Sequence, residues 1–138
     1  MAPPPGDDAF TMRSLLFAPG NRADVLAKLP RSGPSAAVVD LEDAVPPDRK
    51  DQARAVAHEV APELVNQVRL MIRVNAVDTP DFADDVRHGL PAGLTGVVVP
   101  KLESATMVDE VANLLDSAGH PDLPIVAGLK TVAGVVDA

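Results

Sequence analysis

The amino-acid sequence predicts an α/β fold built on a parallel β-sheet. Five short, almost continuously apolar runs lie along the 138-residue chain, as expected for parallel strands covered on both faces. Segments of helical character separate the runs, and connections of that length join parallel strands as crossovers. Hydrophobic residues make up 46% of the chain, so one domain with a buried core is expected.

The predicted elements alternate along the chain. The last helix carries the clearest signals, because its apolar residues repeat along one face, Ser104 suits the N-cap and Gly119 follows its end. The predicted strands are RSLLFAPG from Arg13, AAVVDLED from Ala36, VRLMIRVN from Val68, TGVVVPKLE from Thr95 and PIVAGLK from Pro124. The predicted helices between them are Arg22–Leu29, Arg49–Val60, Phe82–His88 and Ala105–Ser117.

This pattern fits two architectures. One is an open, doubly wound sheet, which five strands complete. The other is a (β/α)8 barrel, which needs about 250 residues and is therefore only partly present here. Both architectures place their chemistry at the carboxyl ends of the strands.

Composition excludes several classes of function. Twelve basic residues against 20 acidic ones give a net charge of -8, which together with only three aromatic residues argues against nucleic-acid binding. The absence of cysteine excludes disulfides and thiolate sites, and the three histidines share no metal-ligand spacing. No segment is apolar for long enough to span a bilayer. The first 12 residues lack signal-peptide features, so we expect a short disordered leader and a cytoplasmic protein.

The predicted strand ends carry charged residues. Asp40 and Glu42 point to the same side if the second strand stays extended. Arg73 ends the third strand, and at the same level it would form an acid–base cluster with them. A structural network of ion pairs would produce the same pattern, and both interpretations stay open. A phospho-accepting receiver domain needs acidic residues after its first strand and an aspartate after its third. Here the first strand ends in FAPGN and the third in an arginine, so this class is excluded.

Four motifs resemble the HpcH/HpaI aldolase/citrate lyase superfamily, in particular its citrate lyase β-subunit-like branch. They are RSLLFAPGNRADVLAK, VVDLEDAVPPDRKDQAR, IRVN and VVVPKLES, in the family's order from Arg13 onward. The resemblance implies a (β/α)8 barrel, of which residues 13–138 hold about the first five strands. It also implies carbon–carbon bond cleavage or formation in substrates such as citryl-, malyl- or citramalyl-CoA, with Mg²⁺ stabilising the enolate.

The same resemblance assigns roles to residues. Arg73 matches the arginine that holds the substrate carboxylate, and Asp40, Glu42 and Asp43 match the acidic strand end that organises the site. Lys101 matches the end of the fourth strand, where a site role and a structural pair remain equal alternatives. Two further matches are basic positions on the coenzyme A side, Arg22 and Lys50.

The resemblance also implies a difference from the family. Lys130 stands where the fifth strand of the family carries a metal-binding glutamate, and an ammonium group cannot bind Mg²⁺. The second family ligand, an aspartate of the sixth strand, has no counterpart in the 138 residues. We therefore expect a truncated member with no bound metal and impaired lyase activity. The alternatives are a catalytically silent carboxylate- or CoA-binding fragment, and an assembly partner that associates with itself or with a complementary half-barrel.

Overall fold

The computed structural model describes residues 13–128, in which strands and helices alternate. The expected leader over residues 1–12 and Lys130 lie outside the described residues. Two 3₁₀ turns occupy Leu29–Ser32 and Pro47–Arg49, and a π-helical turn occupies Asp85–Gly89. The strands are β1 (Leu15–Pro19), β2 (Ala36–Asp40), β3 (Leu70–Arg73), β4 (Gly96–Pro100) and β5 (Ile125–Gly128). The helices are α1 (Ala23–Leu26), α2 (Lys50–Leu64), α3 (Pro80–Asp84) and α4 (Ala105–Ser117).

The five strands form one parallel sheet whose spatial order, β1-β2-β3-β4-β5, is their order in the sequence. A doubly wound sheet reverses its strand order at a switch point, and this sheet does not. The sequential order is that of a (β/α)8 barrel. The prediction of five parallel strands is confirmed, and the order decides between the two architectures that periodicity left open.

The sheet has two apolar faces. Alternate residues of β2 to β4, such as Val39, Ile72 and Val97, pack with α2 and α4 into the larger core. The other alternation places Val38, Met71 and Val98 in a smaller cluster on the opposite face. Because Asp40 follows Val38 and Arg73 follows Met71 at a spacing of two, both charged residues belong to this second face. In a barrel that face is the interior.

The helices differ from their predicted bounds where proline is involved. α1 ends at Leu26, because Pro30 has no N–H to continue an α-helix and the chain turns into the 3₁₀ segment instead. α2 runs past Pro62 to Leu64, beyond its predicted end at Val60. Its last turn is held by core contacts, since Ala61 and Leu64 are 1% and 3% exposed.

The third and fourth helices differ in how well the sequence predicted them. α3 begins at Pro80, a residue suited to the first helical position, and its last predicted turn is the π-helical segment. α4 has the predicted bounds. The Ser104 hydroxyl accepts a hydrogen bond from the Met107 amide at 3.3 Å, as predicted for its N-cap. Within residues 13–128, no helix combines the length and apolar character that crossing a bilayer requires.

Candidate functional site

The centre of the candidate site is an ion pair between Asp40 and Arg73. The two residues are direct partners in the register of β2 and β3. Arg73 Nε donates to Asp40 Oδ1 at 2.9 Å, and Nη2 donates to Oδ2 at 2.6 Å. Asp40 is 1% exposed, whereas the Arg73 side chain keeps 16% of its surface in solvent. The predicted acid–base cluster therefore forms around a two-point contact that fixes the plane of the guanidinium.

The loop after β2 is folded around the same carboxylate. The amides of Glu42 and Ala44 donate to the two oxygens of Asp40 at 2.8 and 3.0 Å. The Gly20 amide donates to the Asp40 carbonyl at 2.8 Å. A β-carbon on Gly20 would lie 2.9 Å from that oxygen, so only glycine allows the end of β1 to approach this closely.

Both members of the ion pair are held in their charged forms. Burial alone would raise the pKa of Asp40, but hydrogen bonds from Arg73 and the loop amides outweigh it, and the pKa is lowered. The hydrogen bonds to Asp40 raise the pKa of Arg73 against its partial burial, with further contributions from Glu42 and Asp43. The Phe17 ring lies 4.8 Å from Arg73 Cζ and covers one face of the guanidinium.

Glu42 links the ion pair to β4. Its Oε1 lies 3.4 Å from Arg73 Nε, and its Oε2 lies 3.8 Å from Lys101 Nζ. Lys101 has a φ of 57°, an uncommon backbone conformation for a residue other than glycine, and about half of its side chain is exposed. Asp43 is exposed beside them. The structure thus brings together the four predicted substrate-side residues Asp40, Glu42, Arg73 and Lys101, with Asp43 at their edge.

The two residues predicted to face coenzyme A do not contact the charged side chains of this cluster in the hydrogen bonds and ion pairs they form. Lys50 begins α2 and donates through Nζ to the carbonyls of Leu41 and Glu42, at 2.8 and 2.6 Å. Arg22 precedes α1 and forms an exposed ion pair with Asp24 at 3.0 Å. Lys50 is therefore tied to the loop after β2, and Arg22 is available at the surface.

Sequence reasoning missed a buried polar group behind the site. Asp85 is fully buried, and it accepts hydrogen bonds from Arg54 Nη1, the Asn75 amide and Asn75 Nδ2, each at 2.7 Å. Burial raises the pKa of Asp85, and the hydrogen bonds from Asn75 and Arg54 oppose that shift. Arg54 and Asn75 end two of the family-like motifs, so their positions were visible in the sequence, but their common partner in a π-helical turn was not.

The described residues do not fit a Mg²⁺ site. Both oxygens of Asp40 already accept hydrogen bonds from Arg73 and the loop amides, and Glu42 lies between two cations. Within residues 13–128 no three acidic or histidine side chains converge to hold a metal ion. A wide surface cleft of about 630 Å³ beside α2 contains His58 and His88, but it lies outside the strand-end cluster.

Comparison with known proteins gives this geometry a context. The model of the HpcH/HpaI aldolase/citrate lyase family matches residues 13–138. A citrate lyase subunit beta-like protein of Deinococcus radiodurans is 52% identical over 132 residues, which cover 92% of this chain and 46% of that protein. A (3S)-malyl-CoA thioesterase of Cereibacter sphaeroides is 33% identical and is covered over 44% of its length. The chain thus spans about half the length of these curated relatives.

The chain also covers about half of the similar solved structures. The citrate lyase beta subunit of M. tuberculosis, complexed with oxaloacetate and magnesium, superposes with a TM-score of 0.72 at 30% identity, over 93% of this chain and 52% of that one. A complex of protein CitE from the same organism with magnesium, acetoacetate and coenzyme A superposes with a TM-score of 0.68 at 29% identity, over 91% and 43%. The described sheet and helices correspond to half of such a barrel.

Proposed function

The chain belongs to the HpcH/HpaI aldolase/citrate lyase family, and from that membership we propose that its strand ends form the carboxylate-binding side of a carbon–carbon lyase site. The ligand class is a keto or hydroxy acid, presented free or as the acyl part of a CoA thioester. Relatives solved with oxaloacetate or with acetoacetate and coenzyme A support this class.

The observation that carries the proposal is the orientation of Arg73. The Nε proton and one proton of Nη2 are both donated to Asp40. Among the residues that the structure describes, none accepts a hydrogen bond from Nη1, and the Arg73 side chain keeps 16% of its surface exposed, from which we infer that the outer edge of the guanidinium is open to a ligand. An arginine fixed on one edge presents two parallel N–H groups on the other, which is the geometry that a carboxylate accepts.

Each residue of the cluster has a part in this proposal. Arg73 binds the carboxylate of the ligand, and Asp40 holds the guanidinium in place. Glu42 sets the position of Lys101, whose half-exposed ammonium is a second contact for an anionic ligand. Asp43 adds negative charge beside Arg73. Because this charge repels anions, only ligands that also make a hydrogen-bonded pair with the guanidinium should bind. Arg22 is assigned to the phosphates of coenzyme A, because its present partner Asp24 is exposed and can be exchanged.

A coenzyme A contact is less well supported for Lys50 than for Arg22. Its ammonium donates to two main-chain carbonyls, and a phosphate would have to replace them. We therefore assign Lys50 to holding the loop after β2. It would contact coenzyme A only if a phosphate displaced these two hydrogen bonds.

We propose that the 138-residue chain binds such ligands without Mg²⁺ and has little lyase activity on its own. The lack of a metal-binding group among residues 13–128 supports this, as does Lys130 at the position that resembles the metal-binding glutamate of the family. Stabilisation of an enolate in this chemistry depends on a cation that acts as a Lewis acid. The second candidate function is therefore carboxylate or CoA binding without catalysis.

We also propose that a second polypeptide covers the edge of the sheet at β1. Leu15, Leu16 and Phe17 are 40%, 37% and 41% exposed. Among the described strands, β1 pairs only with β2. The partner is either another copy of the chain or a complementary half-barrel.

Isothermal titration with oxaloacetate tests the carboxylate site. Removal of Arg73 takes away charge-assisted hydrogen bonds worth about 1.5–3 kcal/mol each, so Arg73→Ala should weaken binding at least about tenfold. Arg31→Ala removes an exposed arginine of the 3₁₀ turn and should leave the affinity unchanged. Equal affinities for the natural chain and Arg73→Ala would exclude the proposed site.

Repeating the titration with Mg²⁺ tests the assignment of Lys130. The natural chain should bind oxaloacetate equally well with and without Mg²⁺, whereas Lys130→Glu restores one oxygen ligand and should add a dependence on the metal. Metal-dependent binding by the natural chain would overturn this assignment, and would place the ion on other carboxylates such as Glu42 or Asp43.

A further inference from the structure

The buried group around Asp85 connects three segments of the chain. Asp85 lies in the π-helical turn, Arg54 lies in the second turn of α2 and Asn75 follows β3. The Arg54 side chain is 7% exposed, and Asp85 is completely buried. Three hydrogen bonds of 2.7 Å converge on one carboxylate, with Arg54 on Oδ1 and both Asn75 donors on Oδ2. Asp85 therefore fixes the rotamer of Asn75.

Asn75 passes this constraint on to the loop that carries the site. Its Nδ2 group has two protons, one directed at Asp85 and the other at the carbonyl of Leu41, 2.9 Å away. Lys50 Nζ donates to the same carbonyl at 2.8 Å. Leu41 lies between Asp40 and Glu42, so two side chains from different segments hold the carbonyl of the residue between the two acids of the site.

The main chain of Leu41 is also tied, through its amide, to the strand that carries Arg73. The Leu41 amide donates to the Arg73 carbonyl at 2.9 Å, and Asn75 is two residues beyond Arg73. The loop after β2 and the end of β3 therefore form a closed ring of contacts: Asp40 to Arg73 through side chains, Leu41 to Arg73 through the main chain, and Asn75 back to Leu41. Asp85 lies behind this ring.

The π-helical turn brings Asp85 into that place. Its last residue, Gly89, packs so tightly that a β-carbon there would lie 3.1 Å from Leu41 Cδ1 and 3.3 Å from Arg54 Cγ. A π-helical turn adds one residue to the turn and is often found at functional sites. Here it places a carboxylate against α2 and the end of β3 at once.

From these contacts we propose that Asn75 and Asp85 are positioning residues: they hold the Leu41 carbonyl and thereby set the Asp40–Arg73 pair in the geometry that binds a carboxylate. The ligand part of this proposal rests on the proposed function, whereas the placement of Arg73 does not. Stability alone is a poor explanation of the buried network of Asp85, Arg54 and Asn75, since such a network adds little stability compared with well-packed apolar residues. A satisfied network does, however, fix a unique geometry.

Two variants and a matched control test the proposal in the full chain. Asn75→Ala removes the donor to Leu41, and Asp85→Asn keeps the shape of Asp85 but loses its charge. Val111→Ala removes a side chain of α4 that is 1% exposed and that belongs to the helix core away from the strand ends. It lowers stability without touching the site.

The decisive measurement is the Nε–Hε resonance of Arg73 in a proton–nitrogen NMR spectrum, assigned by its loss in Arg73→Lys. The bond from Nε to Asp40 should shift this resonance and slow its exchange with water in the natural chain. Asn75→Ala and Asp85→Asn should move the resonance toward that of a free arginine and speed its exchange at least tenfold. Val111→Ala should leave it in place. An unmoved resonance in both site variants would overturn the proposal.

Oxaloacetate titrations of the same variants separate this inference from the proposed function. We expect Asn75→Ala and Asp85→Asn to bind about tenfold more weakly than the natural chain, and Val111→Ala to bind equally well. If Arg73→Ala binds oxaloacetate as well as the natural chain does, the proposed function fails, while the resonance of Arg73 still decides whether Asn75 positions it.

The natural chain provides a test that does not depend on whether a variant folds. The side-chain amide protons of Asn75 should exchange with deuterated water at least tenfold more slowly than those of the exposed Asn113. Equal exchange rates would show that Asn75 does not hold the Leu41 carbonyl in solution, and would overturn the proposal by themselves.

Discussion

At the scale of single residues, each oxygen of the Asp40 carboxylate accepts two hydrogen bonds. The carboxylate accepts from Arg73 twice and from two amides of its own loop. Neutralising a buried carboxylate with this many donors leaves a guanidinium and two amides without their charged partner. Removing one member of a buried ion pair costs about 3–5 kcal/mol.

This contact set predicts a specific dependence on pH. The pKa of Asp40 is lowered from 3.8 in the folded chain, so its contribution to stability is complete above that value and is lost as the pH falls through the lower, folded value. Asp40→Asn should lower the free energy of unfolding by about 3 kcal/mol at about pH 6, and the gap should close as the pH falls below 3.8. Urea unfolding at a series of pH values measures this gap.

Asp116→Asn is the control for that series, because Asp116 is exposed on α4. Its stability should follow that of the natural chain at every pH. A gap between the natural chain and Asp40→Asn that stays constant below 3.8 would show that Asp40 does not titrate in this way.

The residues of the site differ in how far the sequence could predict them. Asp40 and Arg73 were predicted as neighbours, because each ends an apolar strand and parallel strands align their carboxyl ends. The contact of Lys50 with the Leu41 and Glu42 carbonyls was not predictable, because a lysine side chain is long enough to reach either a ligand or the main chain. Asp85 was missed because its role depends on a π-helical turn, for which composition and periodicity give no signal.

At the scale of elements, helix ends are where local sequence signals and tertiary contacts compete. The capping serine and the apolar periodicity predicted α4 at its observed bounds, because local signals agreed there. In α2, the burial of Ala61 and Leu64 extends the helix beyond a proline. In α1 and α3, a proline and a π-helical turn changed the last turn. Strand positions were easier to predict, since a fully covered strand needs only a continuous apolar run.

The N-cap of α4 provides a test at this scale. Ser104→Ala removes the acceptor for the Met107 amide and should destabilise the chain by about 1 kcal/mol. Ser117→Ala, at the other end of the same helix, removes an exposed bond to the Asn113 carbonyl and should cost much less. Urea unfolding of the two variants compares them directly, and equal losses of stability would argue against a capping role for Ser104.

At the scale of the whole molecule, the described residues form a parallel sheet with helices on one face and the site on the other. The barrel architecture itself came from resemblance rather than from periodicity, and the sequential strand order agrees with it. Where a partner binds is not encoded in the pattern of the strands. An apolar strand has the same sequence pattern whether it pairs with strands on both sides or lies at an exposed edge of the sheet.

The exposed edge at β1 makes self-association the expected behaviour in solution. Static light scattering of the natural chain should show an average mass that rises with protein concentration, because an exposed apolar edge that pairs with no second strand among the described ones recruits another strand. Leu15→Lys places a charge on that edge and should shift the equilibrium toward monomer. Val108→Lys changes a residue of similar exposure on α4, 37% against 40%, and should not. A natural chain that stays monomeric at all concentrations would contradict this expectation.

The Phe17 ring connects this edge to the site. It belongs to β1 and covers one face of the Arg73 guanidinium at 4.8 Å. Any association that moves β1 therefore also changes the surroundings of the arginine that is proposed to bind carboxylates. By thermodynamic reciprocity, a ligand on Arg73 must then shift the association equilibrium by the same factor by which association shifts ligand affinity. One aromatic side chain would make assembly and ligand binding cooperative, with no separate effector site.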